Sequence, residues 1–282
     1  MRLAQWLKNI LVFIPMFAAN EFSYGSFISI LYVFISFSLI VSSTYIFNDF
    51  KDKKSDSRHP TKYKRPIASG KITNTEGYIF MSFLFISGNL FLFMMDNSLI
   101  IFSLSYTILT LSYSLKLKYV KYFDILTIAI LFVFRILLGS HAANVLTSIP
   151  LLLFVFFTSL GIASGKKISI LNNDLISTSK VKLFLNMSYS QSELLNILKS
   201  SLQLSLITYI VWIIFIKSLF LDSLGALFLI CSCIFLFVFS NIFINKSEMG
   251  LTEEIIDIIP KDNDLLYSAL LFGISSGIGV LI

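Results

Sequence analysis

The 282-residue chain has few charged side chains for its length. Asp, Glu, Lys and Arg make up 13% of its residues, about half of the roughly 25% that soluble domains carry. Hydrophobic residues make up 56%, and phenylalanine alone occurs 29 times. Too few polar residues are present to cover a water-exposed surface, so the composition excludes a disordered chain, a coiled coil and a nucleic-acid-binding domain. It predicts a polytopic membrane protein.

Cysteine and histidine are also scarce, with two residues of each type. Cys231 and Cys233 lie in one apolar run, where a C-x-C pair is neither a disulfide framework nor a zinc site. We interpret both as packing residues. No serine–histidine–aspartate set, no G-x-G-x-x-G motif and no P-loop occur in the sequence. We interpret His141 as structural and His59 as part of a loop motif.

Nine apolar segments are candidates for membrane spans, which need about 20 mostly apolar residues. The first is short and contains Pro15. We predict an all-α integral membrane protein with about nine transmembrane helices in a single domain, residues 1–282. The predicted spans are residues 7–20, 27–47, 76–95, 98–115, 123–140, 147–163, 198–216, 221–244 and 265–282.

Lysine and arginine are distributed unevenly between these spans. Twenty of the 22 lie at the amino terminus or in loops after even-numbered spans, whereas Lys217 lies in a loop after an odd-numbered span and Arg135 lies inside a span. Positively charged loops usually stay in the cytoplasm. We therefore predict a cytoplasmic amino terminus, an outer carboxyl terminus, and chemistry at the cytoplasmic face.

An acidic stretch directly follows the second span. If the helix continues at 100° per residue, Asn48, Asp52, Asp56 and Asp49 lie in that order within an arc of about 100°. Three carboxylates and an amide on one face suit Mg²⁺, which prefers oxygen ligands and completes its shell with phosphates and water. A solvated helix end, whose acids pair with neighbouring lysines, is the alternative.

A basic loop, residues 57–71, follows the acidic stretch at once. Pro60 and Pro66 stiffen it, and it carries five cations. An acidic, metal-binding face beside such a loop suits a diphosphate, because metal and cations can share its oxygens. Attraction to lipid headgroups would also explain the charge of the loop, but it would not explain the carboxylate face.

Residues 48–70, NDFKDKKSDSRHPTKYKRPIASG, resemble the first aspartate-rich motif of the UbiA superfamily of intramembrane prenyltransferases. Within that superfamily they resemble the decaprenyl-phosphate phosphoribosyltransferase branch. The matching positions are Asn48, Asp49, Asp52, Asp56, His59, Pro60, Thr61, Lys62, Arg65, Pro66, Ile67, Ala68 and Gly70. The opening of the chain is similar to this branch too, at Arg2, Gln5, Trp6, Lys8 and Asn9.

The second motif of the superfamily, D-x-x-x-D, is incomplete here. Asp124 opens the fifth span, but Ile128 stands where the second carboxylate would be. This departure weakens an interpretation with two metal clusters. The segment from Tyr113 to Asp124 resembles the phosphoribosyltransferase branch, in which the pattern Y-x-x-x-L-K, here ending in Lys118, precedes one acidic residue. Lys116 and Lys121 are explained equally well as positive-inside anchors.

Arg135 lies eleven residues beyond Asp124, about 16 Å deeper along a helix. A charged side chain at that depth usually faces a polar cavity or a partner. The surrounding F-V-x-R-x-x-x-G pattern resembles the phosphoribosyltransferase branch, which favours a role in the site. A structural ion pair or snorkelling toward the outer side is the alternative.

Two later polar segments also resemble this branch. The sequence GKK at 165–167 is similar to a G-K-R of the branch, with Ile170 in place of a downstream Glu; lysine keeps the charge but loses the bidentate geometry of arginine. The last polar loop contains six acidic residues between Glu248 and Asp264. We interpret it as a solvated acidic loop, with pairing to the basic loop as the alternative.

The resemblance implies about nine helices around a central cavity open to the cytoplasm and to lipid, in a bacterial cytoplasmic membrane. It implies transfer of 5-phosphoribose from phosphoribosyl diphosphate to a polyprenyl phosphate, with Mg²⁺ or Mn²⁺ as cofactor. Three aspartates would bind the metal and an asparagine would complete the catalytic set: Asp49, Asp52, Asp56 and Asn48. The second motif comprises Tyr113 and Asp124. The implied phosphate-binding residues are Lys8, Lys62, Arg65, Lys118, Arg135, Lys166 and Lys167.

Two other functions stay open at this point. A prenyltransferase that moves a polyprenyl group from its diphosphate to an aromatic or other acceptor would use the same aspartates and metal, although Ile128 counts against it. A transporter or flippase would need broken helices and ionisable groups near the bilayer midplane, and only Arg135 fits that description. The expected partners are polyprenyl phosphate, phosphoribosyl diphosphate and membrane lipids, without nucleic acid.

Overall fold

The computed structural model describes residues 3–58, 62–172, 180–217, 224–253 and 258–282. This part of the chain contains ten α-helices and no strand. The helices are α1 (Ile14–Ala18), α2 (Tyr24–Asp56), α3 (Asn74–Met95), α4 (Ser98–Leu115), α5 (Phe123–Ala143), α6 (Ile149–Asn172), α7 (Lys180–Ser188), α8 (Gln191–Lys217), α9 (Leu224–Glu248) and α10 (Asn263–Leu281). Short 3₁₀-helices occur at Lys62–Lys64, Leu117–Tyr119 and Ile259–Lys261, and a longer one at Leu3–Phe13.

Eight helices of the described chain, α2 to α6 and α8 to α10, are long and apolar enough to cross a membrane. They correspond to the second through ninth predicted spans, which confirms an all-helical membrane protein. Large apolar side chains such as Ile79, Phe83 and Ile101 are exposed on their outer surfaces, as expected for helices that face lipid tails. The chain is therefore a multi-pass membrane protein.

The first predicted span, residues 7–20, differs from the other eight. It consists of the 3₁₀-helix Leu3–Phe13 followed by α1. Sixteen residues of ordinary α-helix would be too short to cross, but a 3₁₀-helix rises about 2.0 Å per residue. The two pieces together reach about 30 Å, the thickness of the hydrocarbon core. Pro15 lies in the first turn of α1, where its missing N–H is not needed.

The Leu3–Phe13 helix lies against α2 and α5. Trp6 Nε1 donates to Ser42 Oγ (3.1 Å), and Asn9 Nδ2 donates to Ser38 Oγ (2.9 Å). Gly139 of α5 lies so close that an added Cβ would come within 1.9 Å of the Val12 carbonyl oxygen. The segment therefore runs beside α5 with its start at the end of α5 that carries Asp124.

Three spanning helices extend seven or more residues past their predicted ends at the polar face. The predicted second span ends at residue 47, whereas α2 continues to Asp56; α6 continues to Asn172, and α8 begins at Gln191. These extensions, together with the loops that follow α2 and α4, lie on one face of the molecule, because ion pairs join them across the chain. Lys118 pairs with Asp52, and Lys62 with Glu253.

The side of the membrane on which this polar face lies stays a prediction, and cysteine labelling tests it. Lys64 is exposed on the polar face, and Leu146 is fully exposed in the connection before α6, at the opposite end. We expect a membrane-impermeant maleimide to label Lys64→Cys only after intact cells are opened. Leu146→Cys is the control and should be labelled in intact cells. Labelling of position 64 from outside would reverse the predicted orientation.

Candidate phosphate- and metal-binding site

The acidic residues after the second predicted span lie on one unbroken helix. α2 continues through Asp56, so the predicted arc of Asn48, Asp49, Asp52 and Asp56 exists as a helical face. Residues three and four apart on a helix are neighbours. Asp49 and Asp56 are buried, and Asn48 and Asp52 are half-buried.

This acidic face has two flanks, each with its own cation. Arg65 forms a close ion pair with Asp56 and lies 3.7 Å from Asp49 Oδ1; we call these three residues the Arg65 flank. Lys118 Nζ lies 2.7 Å from Asp52 Oδ1, and Asn48 Nδ2 donates to Asp52 Oδ2 at 3.0 Å; we call these the Lys118 flank. The acids therefore pair with cations from other segments of the chain.

The loop after α2 folds back to bring Arg65 to the acidic face. Ser69 N–H donates to the Arg65 carbonyl (2.8 Å) and Ile72 N–H to that of Pro66 (3.2 Å), and Ile67 is buried. Gly70 has φ +76°, a left-handed conformation that glycine adopts at little cost. The motif residues His59, Pro60 and Thr61 lie outside the described residues.

The last polar loop is not simply solvated. Glu253 Oε1 lies 3.2 Å from Lys62 Nζ, which joins this loop to the basic loop, as the alternative interpretation expected. Asp262 forms a close pair with Lys246, and that contact holds the pKa of the Asp262 carboxyl below its usual range. Glu254 and Asp257 lie outside the described residues.

Lys118 reaches the site because the chain turns sharply after α4. The 3₁₀-helix Leu117–Tyr119 points Lys118 inward, and its side chain is buried. Lys121 instead pairs with Glu193 at 2.9 Å, and the contact raises the pKa of Lys121. Lys116 is exposed. Lys116, Lys118 and Lys121 thus lie in three different environments. In the sequence, only the resemblance to the family sets Lys118 apart from the other two.

Side chains of α4, α5 and α6 gather beside the Lys118 flank. Tyr113, near the end of α4, interacts electrostatically with Lys166, Asp124, Lys118 and Asp52. Lys166 is half-buried on α6, and its neighbour Lys167 is buried. These residues were predicted separately from three segments, and the fold brings them close to one another.

Asp124 is held at the start of α5 by two partners. Its side chain is fully buried; Oδ2 lies 3.4 Å from Lys167 Nζ, and Oδ1 accepts a hydrogen bond from the Tyr189 hydroxyl at 2.6 Å. Burial and the neighbouring Asp124 raise the pKa of Tyr189, so its hydroxyl keeps its proton at neutral pH. No spacing in the sequence connects Tyr189 to Asp124, so the sequence alone does not identify Tyr189 as a residue of the site.

Tyr189 also holds the backbone that precedes α5. Tyr122 has φ +67°, which is costly for a bulky residue, and its N–H donates to the Tyr189 hydroxyl. We expect Tyr189→Phe to reduce stability by about 1–3 kcal/mol, because it leaves buried polar groups unpaired. The measurement is the apparent melting temperature in detergent. Tyr122→Phe is the control, since its hydroxyl bonds to Glu193 at an exposed position. Equal melting temperatures for the two variants would contradict this role.

Arg135 lies away from the acidic face, in a cluster of uncharged groups. Its Nε donates to Asn9 Oδ1 (3.1 Å), Nη1 to the Leu131 carbonyl (2.6 Å) and Nη2 to the Tyr106 hydroxyl (2.9 Å). These bonds fix the Leu3–Phe13 helix to α5. They fit the interpretation that the buried charge of Arg135 has a structural partner. Lys8 lies next to Asn9 and is half-buried. Phosphate binding by Arg135 and Lys8 stays a prediction.

The described residues contain no group of three or more His, Cys, Asp or Glu side chains close enough to hold a metal ion. Asp49 and Asp56 turn toward Arg65, and Asp52 turns toward Lys118. A three-carboxylate cluster is not required, because Mg²⁺ is usually bound by one or two carboxylates together with substrate phosphates and water. Asp49 and Asp52, one turn apart at the centre of the face, fit that pattern.

A cavity of about 480 Å³ lies beside the Arg65 flank. It is bounded by α2, the loop after it and the first turns of α3. Four charged residues border it, Asp49, Arg65, Lys71 and Glu76. The remaining lining residues are mostly apolar and comprise Ser42, Tyr45, Ile46, Pro66, Ile67, Ile72, Gly77 and Phe80.

The sequence pattern of the UbiA prenyltransferase family matches residues 10–248. The chain belongs to this family. In fold, this UbiA family chain is similar to a UbiA homolog from Archaeoglobus fulgidus bound to GPP and Mg²⁺, with a TM-score of 0.66 and 14% identity over 99% of this chain and 97% of that one.

Among proteins of similar sequence, the uncharacterized protein y4nM of Sinorhizobium fredii is 35% identical over 168 residues, which are 58% of this chain and 32% of y4nM. A decaprenyl-phosphate phosphoribosyltransferase of Mycolicibacterium smegmatis is 30% identical over 213 residues, 74% of this chain and 67% of that protein. The UbiA family chain thus spans about a third of one relative and two thirds of the other.

Proposed function

We propose that this UbiA family transferase moves 5-phosphoribose from phosphoribosyl diphosphate to a polyprenyl phosphate and releases diphosphate. The observation that carries the proposal is the pair of flanks on the acidic face. Phosphoribosyl diphosphate has a diphosphate at one end and a phosphate at the other, and it needs two separate sets of cations. A polyprenyl diphosphate has a single charged end. The similarity to the Mycolicibacterium phosphoribosyltransferase supports the same substrate.

In this proposal the two ends of the donor bind to different flanks. Arg65 and Lys62 contact diphosphate oxygens, and Lys118, Lys166 and Lys167 hold the 5-phosphate. Charge-assisted bonds to phosphate oxygens are about twice as strong as neutral ones. Asp49 and Asp52 would hold the Mg²⁺ ion, which when bound supplies positive charge for the leaving diphosphate.

The ion pairs of the acidic face suit this exchange of partners. Arg65 and Lys118 lie partly or fully out of water and are neutralised by carboxylates. A buried charge without a partner is strongly destabilising. Asp49 and Asp52 would hold the metal together with the donor's diphosphate, while Arg65 and Lys118 would pair with phosphate oxygens. No buried charge is left unpaired at either stage.

The chemical step itself requires little from the protein. The bond between C1 of ribose and the diphosphate oxygen breaks, and an oxygen of the lipid phosphate forms the new bond to C1. Because that phosphate is already ionised, no general base is needed. The chain contributes by positioning the two substrates and stabilising charge that develops on the leaving group. Asp124, bound by Lys167 and Tyr189, orients Lys167 without taking part in this step.

An assay in isolated membranes tests the proposal. One arm offers radiolabelled phosphoribosyl diphosphate with polyprenyl phosphate, and the other offers polyprenyl diphosphate with aromatic acids. We expect a labelled lipid product in the first arm only. Product in the second arm alone would overturn the proposal in favour of a prenyltransferase. Such an enzyme would use a prenyl diphosphate, the class of compound to which the GPP bound to the Archaeoglobus homolog belongs.

A further inference from the structure

The last polar loop, which follows α9, is anchored to α6 through Thr252. This residue is only 1% exposed. Its hydroxyl lies 2.7 Å from the Ser169 hydroxyl and donates to the Gly165 carbonyl at 3.1 Å, and its N–H donates to Ser169 Oγ at 2.9 Å. Gly165 and Ser169 lie on α6 on either side of Lys166 and Lys167. The loop is therefore fixed to the stretch of α6 that carries these two lysines.

The end of α9 directs the chain toward this anchor. Gly250 has φ +78°, and its N–H donates to the Ser247 carbonyl at 3.0 Å. The Leu251 N–H donates to the Lys246 carbonyl, also at 3.0 Å. These two bonds form a Schellman motif, in which glycine commonly takes the left-handed position at the end of a helix. The motif sets the direction in which the chain leaves α9 and brings Thr252 against α6.

Glu253, the residue after Thr252, reaches the basic loop. Its Oε1 lies 3.2 Å from Lys62 Nζ, and the side chains of Glu253 and Lys62 are 20% and 27% exposed. Lys62 is joined to Arg65 through the backbone, because the Arg65 N–H donates to the Lys62 carbonyl at 3.0 Å. Thr252 and Glu253, which we call the bridge residues, thus connect the lysines of α6 with Lys62 and Arg65.

The same two groups of cations are also connected through the acidic face of α2. Carboxylates of α2 pair with Arg65 and with Lys118. In the proposed function both of these cations pair with phosphate oxygens of the donor, so this connection weakens when the donor binds. A lysine ammonium has three donors, so Lys62 can contact phosphate and keep its bond to Glu253. The bridge residues then still connect the two groups.

We propose that the bridge residues set the distance between the two groups of cations and thereby select a donor with phosphate at both ends. The inference rests on the proposed function for the identity of that donor. Thr252 and Glu253 are positioning residues, because they act through the lysines and not on the reacting atoms. Two linked binding sites reinforce each other only when their spacing matches the ligand. Loss of the bridge therefore weakens binding of the whole donor more than binding of its separate ends.

Calorimetric titration of the full-length protein in detergent, with Mg²⁺ and without a lipid acceptor, tests the bridge. The three ligands are phosphoribosyl diphosphate, diphosphate and ribose 5-phosphate. We expect Glu253→Gln and Thr252→Val to bind the whole donor about fivefold more weakly, which is the effect of a side chain that must be ordered on binding. Each separate end needs only one group of cations, so both variants should bind diphosphate and ribose 5-phosphate within about twofold of the original protein.

Each variant has a matched control. Thr252→Ser keeps the hydroxyl and should bind the donor as the original protein does. Glu248→Gln also removes a carboxylate near the end of α9, but Glu248 pairs with Lys199 at 3.5 Å on the exposed surface, and this variant should bind all three ligands normally. Glu253→Gln and Glu248→Gln should melt at the same temperature, because a partly exposed ion pair contributes little to stability.

Two results would overturn the bridge and leave the proposed function in place. One is unchanged donor binding in Glu253→Gln and Thr252→Val. The other is a loss of affinity as large for diphosphate or ribose 5-phosphate alone as for the donor, because the residues would then support one group of cations and not the distance between two. Failure of the original protein to bind the donor or ribose 5-phosphate is a different result, and it would overturn the proposed function together with the bridge.

Discussion

Asp49→Asn and Asp52→Asn are each expected to lower turnover by about a hundredfold or more, the size of effect seen when a group that stabilises transition-state charge is removed. Asparagine keeps the shape and one oxygen but loses the charge. In Asp52→Asn, Lys118 also loses its carboxylate partner at 2.7 Å. Asp52→Asn thus affects both the metal site and the buried Lys118. Turnover, rather than folding, is the quantity to compare between the variants.

The control for both variants is Asp264→Asn, which removes a carboxylate at an exposed position near the start of α10. It should keep turnover close to that of the original protein. Titration with Mg²⁺ distinguishes metal loss from misfolding, since a variant with a weakened metal site needs more Mg²⁺ for half-maximal activity. Full activity of the unmodified protein in EDTA would contradict a metal-dependent reaction at these aspartates.

Local patterns were sufficient to predict the helices and the acidic face. Hydrophobic length predicted nine spans, and eight of them are spanning helices in the described residues, because a span is defined by composition over about 20 residues. The arc from Asn48 to Asp56 followed from the 100° period of one helix, and it required only that α2 continue without a break. Both are properties of a single segment of chain.

Contacts between distant segments could not be predicted in this way. Tyr189 is 65 residues from Asp124, and Glu253 is 191 residues from Lys62, and neither pair has a periodicity or a spacing to identify it. The interpretation of the last polar loop as solvated failed for the same reason. The sequence predicts that Arg135 is a buried charge in need of a partner, but one of its partners, Asn9, lies 126 residues earlier in the chain, on the Leu3–Phe13 helix.

The 3₁₀ geometry of the first segment also escaped prediction. Its apolar pattern over residues 7–20 predicts a short transmembrane helix, and 3₁₀ runs longer than three or four residues are uncommon. The close approach at Gly139 and the bonds of Trp6 and Asn9 to α2 are tertiary contacts that stabilise this stretched form. Sixteen residues can then cover the distance of a full span.

Lys166→Ala and Lys118→Ala are expected to raise the KM for phosphoribosyl diphosphate, because each removes a charge-assisted contact with the 5-phosphate. Such a contact is typically worth about 1.5–3 kcal/mol, which corresponds to roughly tenfold to a hundredfold in affinity. The KM for the lipid phosphate should change less, since the proposal assigns Lys118 and Lys166 to the 5-phosphate of the donor. Lys116→Ala is the control, because Lys116 is exposed and neighbours Lys118 in sequence.

Inhibition by ribose 5-phosphate tests the contact between these lysines and the 5-phosphate by itself. This compound carries the 5-phosphate but no diphosphate, so it should compete with the donor in the original protein and in Lys116→Ala, and it should compete at least about tenfold more weakly in Lys166→Ala. Lys166 is the more decisive position, because removal of Lys118 also leaves Asp52 without its cation. If ribose 5-phosphate inhibits all variants equally, the Lys118 flank does not bind a second phosphate, and a donor with a single charged end, such as a polyprenyl diphosphate, becomes the better substrate.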